Sequence, residues 1–278
     1  MTAAAREDVP AAVEVVGPRA LNGTVRMPGD KSISHRALLM AGVAQGTSTL
    51  TGLASGDDVD RTRRAFEHLG VAVENGRATE SVVVHGGGWD GLRVPREPID
   101  CGNSGSTMRM LCGVLAGRPF RSVLTGDDSL RRRPMARIVD PLWSMGAQVE
   151  GAGREHYAPL TIKGGRLRGM VHHLSIASAQ VKSALLLAGL QASGSTTVIE
   201  PSASRDHTER LLAAIGAPAE VGTIGGAVRV EAATLPSFDL HVPGDPSSAA
   251  FFIVGALVTP GSDVTVDDLC LNPTRVAF

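Results

Sequence analysis

Apolar positions along this chain come in short dense blocks, each followed by glycine. Ala37-Leu38-Leu39-Met40-Ala41-Gly42 returns as Ala184-Leu185-Leu186-Leu187-Ala188-Gly189. Looser versions stand at Met110-Leu111-Cys112-Gly113 and Phe251-Phe252-Ile253-Val254-Gly255-Ala256. A β-rich stretch follows each block, at 46–50, 117–124, 194–199 and 261–266. That order predicts helix, glycine stop, strand. Residues 60–70 then predict a second helix with a glycine C-cap, leading into a strand over 71–74. The same pair recurs at 137–146 with 147–150, and at 205–216 with 217–221. Gly70, Gly146 and Gly216 are spaced by 76 and 70 residues. Alternating segments such as Ser81-Val82-Val83-Val84-His85 predict hairpins after them. The repeating unit is therefore β-α-β-α-β-β, about 70 residues long, and the fold class is α/β (α+β).

Three units are complete between residues 28 and 242, and a fourth opens at Gly244-Asp245-Pro246-Ser247-Ser248. The sequence stops at Thr274-Arg275-Val276-Ala277-Phe278, which matches Thr62-Arg63-Arg64-Ala65-Phe66 of the first unit. A stop there leaves an apolar helix face unformed and sheet edges unpaired. The expectation is a piece of a longer protein, with an atypical capping unit as the alternative.

The residues before the first helix of each unit are polar and correspond in position. They are Lys31-Ser32-Ile33-Ser34-His35-Arg36, Asn103-Ser104-Gly105-Ser106-Thr107-Met108-Arg109, Ser178-Ala179-Gln180-Val181-Lys182 and Asp245-Pro246-Ser247-Ser248. A helix N-terminus offers unpaired N–H groups and the positive end of the macrodipole. Hydroxyls and cations there make an anion site. Packing around a pseudo-threefold axis brings such ends to one face, where Lys31, Arg36 and Arg109 suit a ligand with more than one negative group. Ordinary N-capping explains each serine taken singly; recurrence favours the functional reading. Lys182 and Arg109 are open between solvation and carboxylate pairing. Leu130-Arg131-Arg132-Arg133-Pro134 is open between a solvated charge run and a loop reaching a cleft. His172, His173 and His207 lack a ligand triad and are expected at the surface or in hydrogen bonds.

A net charge of −1 supplies no global field for nucleic acid or anionic membrane. Nine scattered aromatic residues argue against base-stacking platforms. Cys101, Cys112 and Cys270 have neither disulfide-framework nor zinc spacing, which fits a reducing cytoplasm. Residues 1–8 lack a following apolar stretch and do not read as a signal peptide. The longest apolar run, 184–192, is too short to span a bilayer.

Six motifs in order carry a resemblance: Gly29-Asp30-Lys31-Ser32-Ile33-Ser34-His35-Arg36; Gly102-Asn103-Ser104-Gly105-Ser106-Thr107-Met108-Arg109; Leu124-Thr125-Gly126-Asp127 with Arg133-Pro134; Ser178-Ala179-Gln180; Ser204-Arg205-Asp206-His207-Thr208; and Gly244-Asp245-Pro246-Ser247-Ser248-Ala249. From about residue 13 onward the chain resembles the 5-enolpyruvylshikimate-3-phosphate synthase family of enolpyruvyl transferases. The resemblance implies an inside-out α/β barrel fold with three β-α-β-α-β-β units per domain. Six units need roughly 420 residues. Residues 28–242 then form a complete domain on the shikimate 3-phosphate side, while 1–27 and 243–278 belong to an incomplete second domain.

The implied reaction transfers the enolpyruvyl group of phosphoenolpyruvate to the 5-hydroxyl of shikimate 3-phosphate and releases phosphate, by addition and elimination, in aromatic amino-acid biosynthesis. It implies no metal and no cofactor, and as partners only the two small substrates, with no nucleic acid or membrane. The full-length protein is expected to be a cytoplasmic monomer. By the same resemblance Lys31 is the catalytic residue and touches both substrates. Ser32 and Arg36 hold the shikimate ring and carboxylate. Ser178, Ala179, Ser204 and Arg205 surround the 3-phosphate, and Gln180 lies between the substrates. Asn103, Gly105 and Arg133 line the phosphoenolpyruvate site, and the space at Gly105 implies a glyphosate-sensitive parent. Two departures stand out: Ala179 replaces a second phosphate-binding serine found in some members, which Arg205 compensates, and Ser106 replaces a common threonine. Acid/base carboxylates and a Lys/Arg cluster are expected beyond Phe278, so these residues alone should bind shikimate 3-phosphate weakly without turnover. The competing readings are a UDP-N-acetylglucosamine enolpyruvyl transferase, which usually has Lys-Asn where Lys31-Ser32 stands and a catalytic cysteine loop, and a non-catalytic phosphoanion-binding module.

Overall fold

The computed structural model describes residues 17, 19–77, 80–217, 219–221 and 227–276. The leader reading at residues 1–8 and the last two residues of the closing motif lie outside them. The first stretch of chain holds strand β1 (Asn22–Arg26), helix α1 (Lys31–Val43), β2 (Ala44–Thr51), α2 (Asp57–His68), β3 (Ala72–Asn75) and β4 (Ser81–Gly87). The second holds β5 (Ile99–Asp100), α3 (Gly105–Ala116), β6 (Arg121–Thr125), the short α4 (Asp128–Arg131), α5 (Ala136–Met145), β7 (Gln148–Ala152) and β8 (Tyr157–Lys163). The third holds β9 (Val171–His173), α6 (Ala179–Gly189), β10 (Thr196–Ile199), α7 (His207–Ala214), β11 (Ala219–Val221) and β12 (Val228–Val230). Then come β13 (Leu235–Pro236), β14 (Asp239–His241), α8 (Pro246–Val258) and β15 (Asp263–Asp267).

The helices fall where the apolar blocks predict them, with two shifts. α2 begins at Asp57, three residues before its expected start, because Asp57, Asp58 and Asp60 place negative charge on its positive end. α7 begins only at His207, since Ser204 and Arg205 stay in a loop. α4 had no counterpart in the repeat; Asp127 caps it by accepting the Leu130 N–H at 2.7 Å, folding part of the arginine run into a helical turn.

Three sheets share one pattern. β5 lies parallel to β6, which pairs antiparallel with β8, and β8 with β7. β9 lies parallel to β10, which pairs antiparallel with β12, and β12 with β11. The sheet of the first unit runs β13-β2-β4-β3, with β14 also parallel to β2. Its leading strands thus come from residues 235–241. β1, which precedes α1, instead pairs in parallel with β15. The strands leading into α1 and α8 are exchanged. The two crossings run side by side: the Asp30 N–H donates to Pro243 O at 2.8 Å and the Asp245 N–H to Pro28 O at 2.9 Å.

Helices α1, α3 and α6 form the centre of one continuous apolar core. Ten residues of each, or nine for α6, are buried, as expected for helices apolar on nearly every side. α2 buries one face only, Val59, Thr62, Ala65 and Phe66. α3 and α6 meet closely at Gly113, where a Cβ would stand 2.0 Å from the Ala184 carbonyl oxygen. α8 differs: only Pro246 and Ala249 are buried, while Phe251, Leu257 and Val258 are exposed. Among the described residues no helix is long and apolar enough to cross a membrane.

Candidate active site

Each leading helix starts on a side-chain cap. Asp30 accepts the Ile33 N–H at 2.9 Å, Ser104 the Thr107 N–H at 3.2 Å, Ser178 the Val181 N–H at 3.4 Å and Asp245 the Ser247 N–H at 2.8 Å. The first turns of α1, α3 and α6 are joined by hydrogen bonds. From α6, Gln180 Nε2 donates to Ser106 Oγ at 2.9 Å, and its Oε1 accepts from Arg109 Nη1 at 2.9 Å. From α1, Arg36 reaches α6 by donating from Nη2 to Ser183 Oγ at 2.8 Å and Ala179 O at 3.3 Å. The side chain of Arg109, two of whose neighbours are Arg133 and Arg137, has its pKa lowered first by burial and then by Arg133. A cavity of about 240 Å³ lies where Arg109, Arg137, Ser178 and Gln180 come together. A larger one, about 1290 Å³, is lined by Gly29, Thr51, Arg63, Arg77, His241 and Asp268 among others, and none of the expected site residues borders it.

Arg36 is buried, and four of its five N–H groups are engaged. Nε donates to Thr208 Oγ1 at 2.7 Å and Nη1 to Ser32 O at 2.8 Å, besides the two Nη2 bonds. Burial, opposed by Glu209, brings its pKa down to about 10, so it stays cationic at neutral pH. It fixes the carbonyls of Ser32 and Ala179 and retains one N–H on Nη1 for a ligand. Arg205 Nη1 donates to Ser32 Oγ at 3.0 Å. The segments 31–36, 178–180 and 204–208, which carry the starts of α1, α6 and α7, are thereby tied into one rim.

Lys31 projects from the start of α1 with its side chain 54% exposed and its Nζ 3.0 Å from Asp58. Its backbone N–H donates to Asp245 Oδ2 at 3.2 Å. Across the site, Asn103 donates from Nδ2 to Asp127 Oδ2 at 2.7 Å and accepts from Arg133 Nη2. The Asn103 bond and the Leu130 N–H hold the Asp127 carboxyl below its ordinary range. At Gly105 a Cβ would meet Arg109 Nη1 at 2.7 Å and Arg133 Nη1 at 3.1 Å. The two rims, one with Ser32, Arg36, Ser178, Ser204 and Arg205, the other with Asn103, Gly105 and Arg133, meet at Gln180 and Arg109.

Two readings of single residues are sharpened. Lys182 is paired, not solvated: its Nζ lies 2.7 Å from Glu200 and 2.7 Å from Glu209. The carboxylates were missed, although a lysine inside an otherwise apolar helix start is a signal that buried partners exist. His172 is buried with Nε2 unpartnered, which corrects the surface or hydrogen-bonded expectation; His173 beside it is exposed. His207 is buried near Asn272 Nδ2 at 3.2 Å, as a hydrogen-bonding role requires. All three cysteines are buried, and burial raises their thiol pKa values, Cys112 to about 12. None is primed as a nucleophile.

Fold and site together define a repeat-built α/β protein whose central helix starts converge on a cationic cleft. The profile of the family described as EPSP synthase (3-phosphoshikimate 1-carboxyvinyltransferase) matches residues 15–278. The chain belongs to that family. It is 50% identical over 259 residues to the 3-phosphoshikimate 1-carboxyvinyltransferase of Shouchella clausii (strain KSM-K16), covering 93% of this chain and 59% of that protein. It is 51% identical over 268 residues to the protein of that name from Synechococcus sp. (strain WH7803), covering 95% of this chain and 61% of the relative. The EPSP synthase structure from Acinetobacter baumannii superposes with a TM-score of 0.87 at 45% identity, over 94% of this chain and 58% of that one. The chain thus spans about three-fifths of the length of these relatives.

Proposed function

We propose that this chain supplies the shikimate 3-phosphate side of an enolpyruvyl transfer site. In the whole protein that site moves the enolpyruvyl group of phosphoenolpyruvate to the 5-hydroxyl of shikimate 3-phosphate and releases phosphate. The observation that carries this reading is the rim built by Arg205, Ser32, Arg36 and Ala179, which ties two helix starts and a loop into one cationic surface. Ser178 and Ser204 stand on the same rim through a shared carboxylate, Glu200. A phosphate and a carboxylate on one small ligand match such a surface, since hydrogen bonds to charged groups contribute about 1.5–3 kcal/mol each.

The roles are those the family resemblance implies, and the contacts described above support them. Ser178 and Arg205 take the 3-phosphate, with Ala179 and Ser204 alongside. Ser32 and the remaining N–H of Arg36 take the ring and its carboxylate. Gln180, held between Ser106 and Arg109, sits between the substrates. Asn103, Gly105 and Arg133 form the phosphoenolpyruvate side. Lys31, tethered to Asp58 but largely exposed, is the mobile cation that meets both substrates and stabilises charge as it develops. Residues 28–242 act as the body of this half-site, supported by the three sheets they contain, with 1–27 and 243–278 belonging to a second body. The protein works as a cytoplasmic monomer on these small molecules.

The test is calorimetric titration of the chain with shikimate 3-phosphate, shikimate and inorganic phosphate. Saturable binding of shikimate 3-phosphate, at least about tenfold tighter than shikimate, is the expected result, one engaged phosphate being worth at least 1.4 kcal/mol. Equal affinity for the three compounds, or none, overturns the reading.

A further inference from the structure

Beneath the rim lies a charged cluster that the proposed reaction does not use. Lys182 lies 2.7 Å from Glu200 Oε2 and 2.7 Å from Glu209 Oε1, and the side-chain exposures of the three are 4%, 3% and 4%. Removing three ionised groups from water is expensive, and apolar side chains of the same volume often stabilise a core equally well or better. Stability therefore does not explain the cluster. Its other contacts do. Glu200 Oε1 accepts the backbone N–H of Ser178 at 2.9 Å, and Glu200 Oε2 accepts the hydroxyl of Ser204 at 2.8 Å. One carboxylate fixes two loops that approach the rim from different elements.

The bonds set what each loop presents. Ser178 gives its amide to Glu200, and its oxygen accepts the Val181 N–H at 3.4 Å. Its hydroxyl proton is left to point away from the helix, toward an arriving anion. Ser204 gives its one proton to Glu200, so what is fixed there is the course of the loop carrying Arg205 to Ser32. The Lys182 ammonium bonds neither serine, although its backbone N–H donates to the Ser178 carbonyl at 2.9 Å. It offsets the charge of Glu200, which would otherwise repel an anion bound close by.

We infer that Glu200 is a positioning residue for the phosphate subsite, mounted on Lys182 and Glu209. The inference rests on the function proposed above. It makes a prediction of sign. Glu200→Gln removes a negative charge near an anion site, so charge alone would tighten binding of shikimate 3-phosphate. A glutamine cannot serve Ser178, Ser204 and Lys182 together, so lost positioning weakens that binding.

Calorimetric titration of the chain and its variants separates the two. The expected result for Glu200→Gln is about tenfold weaker binding of shikimate 3-phosphate, with shikimate bound as in the unaltered chain. Glu200→Asp keeps the buried charge but is one methylene short of both serines. It is expected to lose affinity in the same selective way, and it carries the test if the glutamine variant does not fold by circular dichroism. Unchanged or tighter binding of shikimate 3-phosphate overturns the inference, as does an equal loss for shikimate, which would mark general damage to the core. An unaltered chain with no preference for shikimate 3-phosphate overturns the proposed function and this inference with it. An unaltered chain that has the preference, and variants that keep it, overturn the inference alone.

Discussion

A methyl group added at Gly105 would meet the ends of two arginines, Arg109 and Arg133, at 2.7 and 3.1 Å. Both are far ends of flexible side chains, so the fold can yield while the cations move. Gly105→Ala is therefore expected to weaken phosphoenolpyruvate binding on the order of tenfold, or 1.4 kcal/mol, and to leave shikimate 3-phosphate affinity unchanged. Titration with phosphoenolpyruvate in the presence of shikimate 3-phosphate checks this; equal loss for both ligands would place Gly105 outside the phosphoenolpyruvate side. At this scale, what was legible in the sequence was whatever sits at a helix start. Asp30, Ser104, Ser178 and Asp245 announce themselves because capping needs particular residue types at a particular place, and they draw the eye to Lys31, Ser32 and Asn103 beside them. The bonds among them were not legible. Arg36 seemed a free ligand cation and proved to be mostly committed to the protein, because its partners Thr208 and Ser183 lie far away along the chain. Glu200 carries no local mark at all, since a carboxylate after a strand looks the same whether it meets water or a buried lysine.

Elements pack here through small residues. At Gly113 the backbone of α3 lies against the backbone of α6, leaving 2.0 Å between a would-be Cβ and the Ala184 oxygen. Backbone cannot yield as an arginine tip can. Gly113→Ala should cost about 1–3 kcal/mol of stability by overpacking, despite alanine's better helix propensity, and urea unfolding of the two proteins measures it. A neutral or stabilising result would show that the two helices have room to part. Helices and strands were legible from block spacing and glycine stops, which report local geometry. Pairing partners were not. The spacing of residues 22–26 ahead of α1 is that of a leading strand; only the family resemblance, which groups 1–27 with 243–278, implied a partner elsewhere, and those residues do pair with β15.

The molecule as a whole buries three histidines, His35, His172 and His207, and burial lowers the pKa of each, His35 to about 3 and His207 to about 4, against an ordinary value of 6.5. Between those values the unfolded chain binds protons that the folded chain refuses, so stability rises with pH across that window. The stabilisation is complete above about pH 6.5 and is lost as pH falls toward the folded values, by up to about 1.4 kcal/mol per pH unit for each histidine. Urea unfolding between pH 7 and pH 4.5 should show this decline, and His35→Gln should make it shallower; an unchanged slope would mean that His35 titrates alike in both states. The exchange of β1 and β14 has a consequence in time. β2 is made early, but its parallel neighbour includes Asp239, which pairs with Thr49 from 190 positions further along. On a ribosome the first sheet must wait, with one edge bare, until nearly all the described chain has emerged. Closing so distant a pairing is slow, and a bare edge is open to other strands meanwhile. The same exchange that pairs β1 with β15 also makes the first-synthesised sheet wait for β13 and β14 before it is finished.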